Sequence, residues 1–295
     1  MSDVVVLLPC RDEAATVAGV VEAFAAALPT ARVHVFDNDS TDDTARLAEE
    51  AGAVVHRVGR PGKGNVVRRM FADLDADVYV MADGDGTYDA AAAPALVQEL
   101  LDRGLDMVIG GRVVDDHDRG QVRAGHATGT RVFAWLYGHL FGLAVEDPFS
   151  GYRALTRRFV KSFPATSVGF EVETELLVHA AELQVEVAEL PTRYRPRSVE
   201  EGSKLSTRRD GLRILRAAVR LYRVGRPLRF FAGLAALVAA VALASLLVTS
   251  ATTLVAGLLV AAAVLLAVGF VGDATCDLRR EHRRMAFLAV PRAEP

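Results

Sequence analysis

Cysteine is scarce in this chain. Cys10 and Cys276 are the only two in 295 residues, too few for a disulfide framework and wrongly spaced for a zinc site, so a reducing, cytosolic setting is expected. The formal net charge is only -3, which by itself gives no reason to expect a nucleic-acid partner. Internal repeats and low-complexity tracts are missing from residues 1–225, which excludes a repeat architecture there. Phosphate-loop and dinucleotide fingerprints are missing too. Gly59-Arg60-Pro61-Gly62-Lys63-Gly64 comes nearest, but it lacks the spacing and the following Ser or Thr. No basic leader precedes the short apolar run at Val4–Leu8, so that run reads as a buried strand and not as a signal peptide.

What is abundant is apolar sequence, and it is unevenly spread. Phe230–Thr249 and Leu254–Val271 carry no charged residue. Each is near the roughly 20 residues needed to cross a bilayer core. The short uncharged link between them predicts a helical hairpin. Arg213, Arg216, Arg220, Arg223, Arg226 and Arg229 precede the first run, and Arg279, Arg280, Arg283 and Arg284 follow the second. By the positive-inside rule both termini are expected on the cytoplasmic side. Leu212, Leu215, Val219 and Tyr222 recur at helical spacing among arginines, the pattern of a basic amphipathic helix in the headgroup layer or of a helix packed on the preceding domain. The expected organisation is therefore a soluble-type domain over 1–206, an interfacial helix over 207–227, a membrane hairpin over 228–273 and a cytoplasmic tail over 274–295.

The first domain alternates strand and helix patterns. Strands are predicted at Val4–Leu8, Val33–Phe36, Ala53–Arg57, Val78–Ala82 and Met107–Gly110, with helices at Ala14–Ala27, Thr41–Glu50 and Lys63–Leu74. Such alternation implies a parallel sheet covered by helices on both faces, with ligands bound beyond the carboxyl ends of the strands. Three polar motifs fall at those ends: Pro9–Glu13, Asp37–Thr44 and Asp83–Asp85.

Asp83-Gly84-Asp85 follows an apolar strand. Two carboxylates one residue apart, with glycines that let the backbone turn, can share a hard cation such as Mg2+ or Mn2+. Such a cation neutralises a diphosphate leaving group. Ser40, Thr41 and Asp42 are good helix-capping residues, and Asp37 is placed to meet a base or ribose. Lys63 opens a predicted helix and could meet phosphate. Arg112, Arg123, Arg131, Arg197 and Lys204 form a basic set ahead of the apolar runs. Taken singly they read as solvated arginines and lysine; together they suit an anionic lipid phosphate. Glu171, Glu173 and Glu175 fall on one predicted helix, and their plain reading is a charged helix face.

The ordered set of motifs resembles a known family. Leu8-Pro9-Cys10-Arg11-Asp12-Glu13, Asp37–Thr44, Gly62-Lys63-Gly64, Asp83–Tyr88, Gly111-Arg112, Ser150-Gly151-Tyr152-Arg153 and Gly202-Ser203-Lys204-Leu205 match family-2 glycosyltransferases of the GT-A fold. Within that family they resemble the polyprenyl-phosphate sugar transferases, such as dolichol-phosphate mannose synthases and undecaprenyl-phosphate glucosyltransferases. The resemblance implies an α/β, Rossmann-like nucleotide-sugar domain with a two-helix membrane anchor. It implies donor contacts at Pro9, Arg11, Glu13, Asp37, Lys63, Asp83 and Asp85. It implies acceptor-phosphate contacts at Arg112, Arg123, Arg131, Ser150, Arg197 and Lys204. Asp85, Arg112 and Arg131 are the expected catalytic groups, and Asp83 and Asp85 the expected Mg2+ or Mn2+ ligands. The pattern departs from the family at Asp12, Asn38 and Thr87, where Asn, Asp and Gln are common. Trp135 lacks the Gln-x-x-Arg-Trp context of processive synthases.

The implied reaction is inverting transfer of a hexose from a nucleotide sugar to a lipid phosphate at the inner or plasma membrane. Two rival readings stay open. A hydroxyl acceptor would need a base, for which Glu171 or Asp147 is available. A catalytically silent nucleotide-binding scaffold would keep the fold without turnover. Neither the sugar nor the base is determined, and a homo-oligomer stays open.

Overall fold

The computed structural model describes residues 2–114, 126–169, 171–196, 222–248 and 252–291, together with Leu212, Leu215, Arg216, Val219 and Arg220. The chain forms two compact units, Met1–Ile214 with Met285–Pro295, and Leu215–Arg284.

The first unit is built on a seven-stranded sheet. Its strands are β1 (Val4–Cys10), β2 (Arg32–Asp37), β3 (Val54–Arg57), β4 (Val78–Met81), β5 (Met107–Val113), β6 (Arg153–Thr156) and β7 (Val187–Arg193), in the order β3-β2-β1-β4-β6-β5-β7. β3, β2, β1 and β4 run parallel, as the alternating pattern predicts. β6 does not: it lies antiparallel between β4 and β5. The all-parallel expectation is corrected at this strand. β6 follows the helical excursion that leaves β5, and it re-enters the sheet at the end where β5 finishes, so it runs back between β5 and β4. It escapes sequence reading because it is four residues long and opens on Arg153, a charged residue that is fully buried.

The helices are α1 (Val17–Ala27), α2 (Thr44–Glu50), α3 (Lys63–Asp73), α4 (Ala93–Asp102, after a 3-10 turn at Ala90–Ala92), α5 (His126–Phe141), α6 (Arg157–Ser162) and α7 (Val172–Leu183). Alternation along β1 sends Val6, Leu8 and Cys10 to one sheet face, where they pack with Val17, Val21 and Phe24 of α1 and Leu96 and Leu100 of α4. Each large apolar side chain buried this way contributes roughly 1.5–3 kcal/mol. On another part of the sheet, Phe71 of α3 meets the edges of Tyr79 and Phe163.

The loops at the carboxyl ends of β1 and β2 are stitched together. Asp12, in the left-handed region at φ 51°, accepts from the Thr41 amide at 2.8 Å and its own amide donates to Ser40 Oγ at 3.0 Å. Asp42 Oδ2 accepts from the Ala14 amide, and Thr44 Oγ1 from the Glu13 amide. The capping residues thus spend most of their hydrogen bonds across the gap to the first loop. Asp42 Oδ1, which accepts from the Thr44 amide, is the one that acts at the start of α2. That stitching sets the spacing of two of the three motifs.

In the second unit, α8 (Pro227–Val248) and α9 (Thr252–Ala289) are long and apolar enough to cross a membrane. They approach closely through small residues. A Cβ on Gly272 would stand 2.8 Å from Pro227 Cβ, and one on Gly269 would stand 3.2 Å from Phe231 Cβ. Ala235, Ala242 and Ala262 are buried, as expected where helices pack by backbone proximity. α9 continues without a break through residues assigned by sequence to a tail. Residues 207–211 of the predicted amphipathic helix lie outside the described residues. Leu212, Leu215 and Val219 are helical and exposed.

Candidate active site

The three strand-end motifs converge. Cys10 ends β1 with its thiol fully buried, and its pKa is pushed well up, first by burial and then by the charges of Glu13, Asp83, Asp37 and Asp85. The charges of four carboxylates from three loops therefore act on this one thiol. Gly84 lets the turn between the two aspartates pass over that thiol: a Cβ there would lie 2.2 Å from Cys10 Sγ. Thr16 Oγ1 donates to the Gly84 carbonyl at 2.9 Å and pins the turn to α1.

Asp85 is braced by Thr87. Its Oδ1 accepts from the Thr87 amide at 3.1 Å and from Thr87 Oγ1 at 2.6 Å. Thr87 is buried. The residue that replaces the family's Gln is thus an orienting partner of Asp85. Among the described residues no cluster of three or more His, Cys, Asp or Glu side chains has metal-ligand geometry.

Asp83 is tied to Lys63, whose ammonium lies 2.5 Å from Asp83 Oδ1 and 2.6 Å from Glu173 Oε1. Burial opposes the charge on Lys63, but Asp83 and Glu173 outweigh it and raise its pKa. Gly151 makes room for this network: a Cβ there would stand 3.0 Å from both Asp83 Oδ2 and Lys63 Nζ. Glu173 and Glu175 are both buried, so the expected charged helix face is corrected. Glu175 instead holds the loop before α7, accepting from the amides of Thr166 and Ser167. Helical periodicity could not reveal this, because a buried carboxylate and a solvated one look alike in sequence.

Arg112, at the end of β5, does not reach into solvent. Its guanidinium grips Asp147 with two hydrogen bonds of 2.6 and 2.7 Å and lies over the Tyr194 ring at 5.4 Å. Burial would raise the Asp147 pKa, but the guanidinium holds it below the usual carboxylate range. Glu189 carries the same loop from beneath, accepting from the amides of Glu146 and Asp147. Tyr88 sits between these groups, with its hydroxyl accepting from the Gly151 amide.

Other predicted residues fall elsewhere. Asp37 is buried, and its Oδ1 has no hydrogen-bond partner. Asn38, beside it, binds the carbonyls of Val58 and Arg60 and the Gly62 amide, joining the β2 loop to the start of α3. Arg11 is exposed beside Asp12, and Pro9 lies within β1 against Phe36 of β2. Ser150 is fully buried and donates to the Gly110 carbonyl, a role in the loop's shape. Arg131 stands exposed on α5, and no described contact joins it to the acidic turn. Arg123, Arg197 and Lys204 lie outside the described residues. Arg193 and Arg195, which sequence reading passed over, border a cleft of about 690 Å³ with Thr16, Phe24, Thr87 and Tyr88. Their signal was only their place at a strand end, and β7 itself was not predicted.

Comparison with known proteins agrees with this geometry. The glycosyl transferase family 2 profile matches residues 5–162. The glycosyltransferase AglJ of Haloferax volcanii is 37% identical over 237 residues, spanning 77% of this chain and 75% of its own. A dolichyl-phosphate hexose transferase of the same organism is 31% identical over 170 residues, spanning 57% of this chain and 73% of its own. Among solved structures, glucosyl-3-phosphoglycerate synthase of Mycobacterium tuberculosis with Mn2+, UDP and glucosyl-3-phosphoglycerate superposes with a TM-score of 0.60 at 24% identity, covering 75% of this chain and 80% of that one. The chain belongs to glycosyl transferase family 2. It is a glycosyltransferase enzyme with a Rossmann-like GT-A fold, joined to a pair of helices long and apolar enough to span a membrane.

Proposed function

We propose that this enzyme moves a hexose, with inversion, from a UDP- or GDP-linked donor to a polyprenyl phosphate at the membrane surface. The observation that carries the reading is the Arg112–Asp147 pair. A hydroxyl acceptor needs a general base. Asp147 was one of two carboxylates available for that task, and both its oxygens are engaged by a guanidinium that keeps it ionised. A carboxylate so held is a poor proton acceptor. A lipid monophosphate makes no such demand, because its second pKa is about 6 and its oxygen is already anionic near neutral pH. What it needs is positive charge and orientation. Arg112, paired with Asp147, orients this part of the site, and the net positive charge is assigned to Arg123, Arg131, Arg197 and Lys204, with Ser150 shaping the loop.

The donor half uses the convergent carboxylates. Asp37 offers its unpartnered oxygen to a base N–H, which uracil and guanine both provide. Pro9, near the end of β1, and Arg11 and Glu13, in the loop that follows, are assigned to the same donor half. The donor set of Asp83 and Asp85 fits Mg2+ or Mn2+: two hard carboxylates on one turn, one residue apart. What such a cation supplies when bound is charge screening of the departing diphosphate. Lys63 adds a fixed positive charge at the same turn, and Thr87 holds Asp85 in place for it.

The membrane assignment is supported by the apolar surface of α8 and α9, where Leu237, Leu243, Val260 and Phe270 are more than half exposed. The arginines flanking the pair support a cytoplasmic location for the catalytic unit and both termini. The test is transfer from a panel of UDP- and GDP-sugars to polyprenyl phosphate, with Mg2+, Mn2+ or EDTA, reading labelled sugar in the lipid phase. Transfer to polyprenol or diacylglycerol but not to polyprenyl phosphate would overturn the acceptor. Metal-dependent nucleotide binding without turnover on any acceptor would favour the silent scaffold.

A further inference from the structure

We infer that Glu173 is a positioning residue that sets how tightly the acidic turn takes its cation, acting through Lys63. This rests on the assignment of Asp83 and Asp85 as cation ligands. Glu173 lies on α7, remote in sequence from every strand-end motif, yet it is 3% exposed and reaches the Lys63 ammonium at 2.6 Å. The same ammonium lies 2.5 Å from Asp83 Oδ1. One positive charge is therefore shared by the buried Glu173 and the part-buried Asp83. Glu173 Oε2 is buried with no hydrogen-bond partner, and the buried guanidinium of Arg153 also lies within reach of the Glu173 charge.

A plain structural staple would end there, as a buried pair with both partners satisfied. Here one of the two carboxylates belongs to the acidic turn, and the ammonium occupies an oxygen that a divalent cation would use. Lys63 and a cation thus compete for Asp83. Glu173 decides the competition by drawing the ammonium toward α7. Without its charge, Lys63 turns wholly to Asp83 and the turn loses cation affinity. Gly151 lets the ammonium and Asp83 lie side by side, since a methyl group at that position would touch both Lys63 and Asp83.

The test is Mn2+ binding to the full-length protein in detergent, read as free Mn2+ by electron paramagnetic resonance. UDP or GDP, whichever the wild type binds, is kept saturating for each variant. Glu173→Gln should raise the apparent Kd for Mn2+ on the order of tenfold, within the coupling expected of contacting charged residues. Lys63→Met should lower it. In the Lys63→Met background, adding Glu173→Gln should change Mn2+ affinity much less than it does in the wild type. Equal losses with and without Lys63 would overturn the inference, because Glu173 would then act by its own charge alone. Unchanged Mn2+ affinity in folded Glu173→Gln would also overturn it, as would unchanged affinity in Lys63→Met should the Glu173 variant not fold. Wild-type protein that binds nucleotide but no Mn2+ would instead remove the cation assignment on which the inference stands.

Discussion

Gly84→Ala should damage this enzyme through one atom. The new Cβ would lie 2.2 Å from Cys10 Sγ, more than 1 Å inside the roughly 3.5–4.0 Å at which heavy atoms meet comfortably. Cys10 is 2% exposed at the end of β1, so its sulfur has nowhere to go without moving neighbours. Overpacking of this kind costs about 1–3 kcal/mol, and the depth of the overlap argues for the upper end. For a unit of this size that is a fall in Tm of roughly 6–12 °C. Any backbone shift that relieves the clash also separates Asp83 from Asp85, so transfer should fall further than stability does. The structure names the rescue. With Cys10→Ala the nearest atom becomes the Cβ of residue 10, at 3.5 Å, which is an ordinary contact. The double variant should recover most of the lost Tm and most of the transfer, and differential scanning calorimetry beside the lipid-transfer assay reads both. A double variant as unstable as Gly84→Ala alone would refute the reasoning, as would a Gly84→Ala protein with wild-type Tm.

Asp85→Ala should abolish transfer, and substantial metal-dependent activity in that variant would remove Asp85 from the metal site. Asp147→Asn should keep its pH–rate profile and lose less than the roughly 10²–10⁴-fold that a general base supplies; loss on that scale, together with loss of the acidic limb of the profile, would restore the hydroxyl-acceptor reading. Arg131→Ala should raise the KM for polyprenyl phosphate with little change for the donor, and unchanged acceptor kinetics would take it out of the site. His34 is buried against His56 and its pKa is lowered to about 4, first by burial and then by His56 and Arg32. Its unfolded pKa is about 6.5. The folded state therefore resists a proton that the unfolded chain accepts. Stability is full above pH 6.5 and declines as pH falls towards 4, by about 3 kcal/mol from this group. His34→Phe should flatten that part of the pH–stability curve measured by urea unfolding, and an unchanged slope would show that other groups carry it.

The sequence alone determined the strand-helix alternation from β1 to β4, the three polar motifs at their carboxyl ends and the two long apolar runs. Periodicity and turn chemistry are local, so each could be read without knowing what packs against it. The acidic turn was legible for the same reason: two aspartates around a glycine after a buried strand need no distant partner to be noticed. Partnership was decided only by the tertiary structure. Arg112 looked like a cation for a ligand until Asp147, 35 positions away, closed on it. Glu173 looked like part of a solvated helix face until α7 laid it against Lys63, 110 residues earlier. Thr87 looked like a mere departure from the family pattern and proved to be the brace on Asp85. β6 was invisible because a buried arginine breaks the apolar pattern that marks an inner strand. Whether a charge is solvated, paired or waiting for a ligand depends on what surrounds it, and only the folded chain brings those surroundings together.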